Sequence, residues 1–117
     1  MHNLNELKIW HKSMDLAVSA YKLSSVFPSD EKFGLTSQIR RAAVSVSSNI
    51  AEGAGRNTNN EFAHFLGVSN GSSYELQTQL IIAERLGYCD NKEMSLLLND
   101  IIEVQKMNFT FQRRLKQ

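Results

Sequence analysis

The chain has 117 residues, 42% hydrophobic and 21% charged, the balance of one globular domain long enough to bury a core without metals or disulfides. Thirteen Lys and Arg against twelve Asp and Glu leave a net charge of +1, which excludes the overall basic footprint of many nucleic-acid binders and leaves only a local patch, or one multiplied by symmetry. The single cysteine, Cys89, excludes an intramolecular disulfide and a cysteine-based zinc site, and with no apolar leader in MHNLNELKIWHK and no apolar run of about 18 residues the expectation is a cytoplasmic protein that meets no membrane.

The first predicted helix spans about residues 5–26. Leu7, Trp10, Met14, Ala17 and Tyr21 recur at alternating spacings of three and four, a helical stripe. Asn5 is the expected N-cap, and Pro28 ends the segment because proline disfavours helical geometry in the residue before it. Ser29 and Asp30 are placed to cap a turn, and Gly34 marks a kink or break.

A second helix is predicted over about residues 35–54, with Leu35, Ile39, Ala42, Val46 and Ile50 as its core stripe and Gly53 and Gly55 as left-handed closing residues. Around it, the run SQIRRAAVSVSSNIAEGAGR from Ser37 to Arg56 is rich in small residues where an outer face normally carries Lys and Glu. Such a helix is expected to be approached on more than one side, by its own core and by a neighbouring subunit.

Thr58-Asn59-Asn60-Glu61 has the form of a capping box and opens a third helix over about residues 58–86, with Gly87 as its stop. Its stripe is Phe62, Leu66, Ser69, Ser73, Leu76, Leu80 and Ala83. Gly67 and Gly71 each cost a helix about 1 kcal/mol relative to alanine. Four residues apart, they predict a close helix crossing. Asp90-Asn91-Lys92-Glu93 opens a fourth helix over about residues 90–115, whose seam is Leu97, Ile101, Val104, Asn108, Phe111 and Leu115. Asn108 is either a buried register-setting residue or an exposed residue near a fraying end. Four long helices with short connections predict an all-α domain over residues 1–117, an antiparallel up-down-up-down four-helix bundle.

Catalytic and metal chemistry find little purchase. Glu61 and His64 have the Glu-x-x-His spacing of di-metal bundles, but only one copy is present and capping accounts for Glu61. Ser45, Ser47 and Ser48 lack a nearby histidine. Gly53 to Arg56 closes a helix, whereas phosphate cradles open one. The expectation is a non-enzymatic protein without metal or cofactor.

Nucleic-acid binding is the stronger alternative. Arg40, Arg41 and Arg56 are the candidate phosphate contacts. Arg41 shares its helical row with Ser45, Ser48 and Glu52, and serves equally as an interface residue paired with Glu52 or Glu75. The candidate subunit interface is Arg41, Val44, Ser45, Ser48 and Glu52. Arg40 and Arg56 are left as the freer candidates for a ligand. The cluster Arg113, Arg114 and Lys116 reads as a tail that suits a helix C-terminus.

The stretch from Gly34 to Gly53, with Gln38, Arg41, Asn49 and Glu52, resembles the signature of the 23S ribosomal RNA intervening-sequence proteins. So do Leu7-Lys-Ile-Trp10, Met14-Asp-Leu-Ala17, Glu61-Phe-Ala-His-Phe-Leu66, Gly71-Ser-Ser-Tyr-Glu-Leu76 and Leu86-Gly-Tyr88. The resemblance implies a homopentamer, a ring with a central channel, often encoded within insertions in bacterial 23S ribosomal RNA genes. It extends to the accessory protein of diversity-generating retroelements, which is basic, binds nucleic acid and partners a reverse transcriptase. This chain is nearly neutral instead. Two functions are therefore expected as alternatives: a self-assembling protein that binds RNA or DNA, or an adaptor that docks a polymerase or ribosome-associated partner without touching nucleic acid.

Overall fold

A computed structural model describes residues 2–117. Four helices, α1 (Lys8–Ser24), α2 (Leu35–Ala54), α3 (Asn59–Arg85) and α4 (Asn91–Leu115), form an antiparallel bundle. Single 3₁₀ turns occupy Leu4–Glu6 and Ser29–Glu31. Each helix packs on its neighbour in the chain, and α4 closes the square against α1. The bundle measures 44 × 24 × 21 Å.

The predicted start of α1 is corrected. Asn3, rather than Asn5, supplies the cap: its Oδ1 accepts from the Asn5 amide at 3.1 Å and closes the 3₁₀ turn. Leu7 is then extended, at φ −86° and ψ 104°, so the α-helix begins only at Lys8. The stripe of α1 is corrected as well. Ile9, Ser13, Leu16, Ala20 and Leu23 face the core, while Trp10, Met14 and Ala17 are half-buried and Tyr21 is exposed. Ser13 enters the core because its hydroxyl donates to the Trp10 carbonyl at 2.7 Å, which leaves no free polar group there.

The glycines change roles. No Cβ atom would meet anything within 4 Å at Gly67 or Gly71, so no helix of this chain crosses them. The close approach is at Gly53, where a Cβ would stand 2.8 Å from both Phe62 Cδ1 and Phe65 Cβ. Gly53 lies within helical backbone and Gly55 has φ −83°, so neither is a left-handed closure. Among the described residues only Gly87 has positive φ, 73°. It ends α3 as expected, with the Tyr88 amide donating to the Ala83 carbonyl and the Gly87 amide to that of Glu84.

The seven expected core positions of α3 are all buried. In α2 the buried arc is wider than its predicted stripe. Ala43, Ser47, Gly53 and Ala54 join it, because α2 packs on both α1 and α3, and Leu35 is only half-buried. Two buried polar contacts pin helix to helix. Ser69 Oγ donates to the Val46 carbonyl at 2.7 Å. Asn108, 1% exposed, donates from Nδ2 to the Leu66 carbonyl at 2.9 Å and accepts from Gln112 Nε2 at 2.6 Å. Asn108 thus serves register within the bundle. Phe111, in the same seam, is half-buried and meets Phe62 edge-on at 5.1 Å.

α2 begins with a cap that local sequence rules miss. Glu31 Oε1 accepts from the Leu35 amide at 3.1 Å, and Oε2 accepts from the Tyr88 hydroxyl at 2.9 Å. These two bonds, the backbone one foremost, hold the Glu31 carboxyl below its ordinary value of 4.5. A lowered folded pKa means the carboxylate contributes stability above the unfolded value, and that contribution is lost as pH falls through the folded one. Glu31→Gln is therefore expected to lower the thermal midpoint at pH 7, with the gap to the parent protein closing below about pH 4.5. A gap that stays constant from pH 7 to pH 3 would show that the charge plays no part.

Candidate interface on the second and third helices

Arg41, Val44, Ser48 and Glu52 are exposed along one face of α2, and Ser45 beside them is half-buried. These five candidate interface residues form one continuous strip. Ser45 also marks where the strip meets α3: its hydroxyl is 2.8 Å from that of Ser72, and Asn49 Nδ2 donates to the Ser45 carbonyl at 2.9 Å. Beyond that seam Val68, Gly71 and Tyr74 are exposed on α3, and Gly67 lines a shallow depression toward α4 with Gln112 and Lys116.

The three candidate arginines are in different situations. Arg40 Nε donates to Ser24 Oγ at 3.0 Å and Nη2 to the Tyr21 carbonyl at 3.2 Å, with the guanidinium 4.7 Å from the centre of the Tyr21 ring. It fastens α2 to the last turn of α1, where helix carbonyls lack partners. Arg56 pairs with Glu52 Oε1 at 2.7 Å, an i,i+4 pair, and lies 4.7 Å over the Phe65 ring. Arg41 is exposed and makes no hydrogen bond or ion pair among the described residues. Within the chain, Arg40 and Arg56 are engaged and Arg41 is not. Glu52 is held by Arg56 and not by Arg41. Tyr21 signals the role of Arg40 only once α1 and α2 are seen side by side.

Elsewhere, Thr58 caps α3 by accepting from the Glu61 amide at 3.1 Å while its hydroxyl donates to Glu61 Oε1 at 3.0 Å. His64 stands edge-on to Phe65 at 5.3 Å. Among the described residues no three His, Cys, Asp or Glu are grouped to hold a metal ion. Burial, then the nearby carboxylates, push the Cys89 thiol above its ordinary value, the opposite of an activated nucleophile. No helix among the described residues is long and apolar enough to cross a membrane.

The fold and its outer face define a small four-helix-bundle protein. Residues 5–110 match the model of the 23S rRNA-intervening sequence proteins, and the chain belongs to that family. It is similar in structure to a protein of unknown function from the S23 ribosomal protein family of Bacteroides thetaiotaomicron VPI-5482, with a TM-score of 0.80 at 23% identity over 89% of this chain and 97% of that one. That likeness concerns the fold. No curated protein matches the chain.

Proposed function

We propose that this protein is a non-enzymatic homo-oligomer, a pentamer, that binds RNA or DNA. The observation that carries the assembly is the outer face of α2 and α3. On α3, Val68 and Tyr74 lie exposed near Gly67 and Gly71, with open space over both glycines, and on α2 Val44 is exposed as well. The two glycines weaken α3 by about 1 kcal/mol each, and nothing in the same chain comes close enough to compensate. A helix of a second copy can approach such a face closely. The family resemblance supplies five as the number of copies. Repetition of the exposed Arg41 around a ring supplies positive charge that one nearly neutral chain lacks.

Light scattering at tens of micromolar is expected to give about five times the 13.3 kDa of one chain. Gly71→Lys is expected to remain folded, because its side chain meets open space and lysine is the better helix former, yet to be monomeric. A parent protein that is a monodisperse monomer overturns the assembly. For the ligand, retention on RNA or DNA is expected to weaken with salt through counterion release; no retention at low salt overturns it.

One observation favours the adaptor alternative. At the end of the bundle where the α1–α2 and α3–α4 connections meet through Glu31 and Tyr88, Phe33 is 89% exposed, and Val26 and Leu86 are exposed too. Pull-down after nuclease treatment separates the two readings, since only an adaptor keeps its partner.

A further inference from the structure

At the end of the bundle where α1 begins and α4 finishes, a groove of about 540 Å³ runs between the two helices. Its rim carries Lys8, Lys106 and Arg114, and its floor is formed by Leu7, Met107 and Phe111. None of the three cations makes an ion pair among the described residues. Glu6 is the lone acid in the lining. Three unpaired positive groups around one concavity repel each other, and an anion relieves that repulsion. The positive end of α1 and the negative end of α4 meet at this end of the bundle and offset one another, so the three cations set the field there.

The floor narrows the kind of anion. Inorganic phosphate would leave Leu7, Met107 and Phe111 unused. Phe111 is held in place by its edge-on contact with Phe62, and offers the groove an apolar ring already ordered. A cationic rim over an aromatic floor is how proteins take a nucleotide, the phosphate on the cations and the base against the ring.

We propose that this groove binds a phosphorylated nucleoside unit. Its phosphate sits between Lys8, Lys106 and Arg114, and its base lies on Phe111 and Met107. Glu6 accepts from a ribose hydroxyl or a base amine. The unit comes either from a free mononucleotide or from one residue of a single strand. In its second form the proposal rests on the nucleic-acid reading above, and moves the contact from the α2 arginines to the opposite seam of the bundle.

The test uses the full chain and two probes, uridine monophosphate and a fluorescent twelve-nucleotide oligouridylate. The comparison variants are Lys8→Ala with Arg114→Ala, both at exposed positions, and Arg41→Ala as a control. Oligonucleotide affinity is expected to fall about tenfold in the double variant and little in the control. The salt slope is expected to shrink by at most about 0.7, the contribution of the one phosphate the groove holds on a single strand. Mononucleotide should shift the amide resonances of Lys8, Ile9 and Phe111. Mononucleotide binding at these residues without oligonucleotide binding keeps the groove and removes the nucleic-acid reading. Oligonucleotide binding that the double variant leaves unchanged removes the groove and keeps that reading. Absence of binding by either probe removes both.

Discussion

Gly53→Ala is expected to destabilise the bundle by about 1–3 kcal/mol, the usual range for overpacking, and Gly53→Val by more. The sign is not obvious from helix propensity, which favours alanine by about 1 kcal/mol in a helix interior. Position decides it. The new Cβ would stand 2.8 Å from Phe62 Cδ1, 2.8 Å from Phe65 Cβ and 3.2 Å from the Phe62 carbonyl oxygen. Two of these three atoms move only with the α3 backbone, so a rotamer change cannot clear the space. The next turn after α2 leads directly into α3, which gives the pair little room to separate. Urea unfolding measures the effect as a fall in midpoint, and an unchanged or raised midpoint would show that α3 yields freely.

Phe62→Ala is expected to cost more, about 3–5 kcal/mol, the range for emptying a buried aromatic position. Phe62 is fully buried and meets Phe111 edge-on at 5.1 Å and His2 at 4.8 Å. Its loss opens a cavity beneath α2 and α4 together. Total stability of a domain is about 5–15 kcal/mol, so this one change removes a large share. The two sites touch, so their effects should not add. Space vacated by Phe62 relieves the clash at Gly53, and the Gly53→Ala, Phe62→Ala double variant should be more stable than the sum of the single effects predicts. Strict additivity in denaturant unfolding would argue that the clash lies with Phe65 alone.

The bundle was readable wherever apolar spacing was unbroken. α3 shows this best: all seven core positions follow from a three-and-four alternation, two of them serines. α1 misled by one row for a physical reason. Trp10 and Tyr21 carry the largest apolar surfaces in the helix and pull a pattern toward themselves, whereas the core row includes Ser13, whose hydroxyl is satisfied locally. Small residues were legible as a sign of close approach, but not where it falls. Gly53 looked like a helix end and is a contact point; Gly67 and Gly71 looked like a contact point and face open space. The arginines were the least legible. Whether a guanidinium is free depends on what lies across the bundle, and the Tyr21 carbonyl and Phe65 ring that hold Arg40 and Arg56 become neighbours only through packing. The α1–α4 groove escapes a linear reading for the same reason, since Lys8 and Arg114 are joined only when the last helix returns beside the first.

Asn108 bears on which structures the chain does not adopt. Move α4 along its axis by seven residues and its apolar row still faces inward, because Met94, Leu97, Ile101 and Val104 step into the places of Ile101, Val104, Asn108 and Phe111. To the middle of the hydrophobic core the slipped bundle is nearly as good, although Gly87, Asp90 and Asn108 then take the places of Met94, Leu97 and Leu115. To Asn108 it is not: the amide leaves the Leu66 carbonyl, and Ile101 arrives there with nothing to donate. One polar side chain thus adds to the distinction between two arrangements that the middle of the apolar row alone would separate only weakly. In that sense Asn108 acts less as a bond than as an address, giving every copy of the chain the same outer surface.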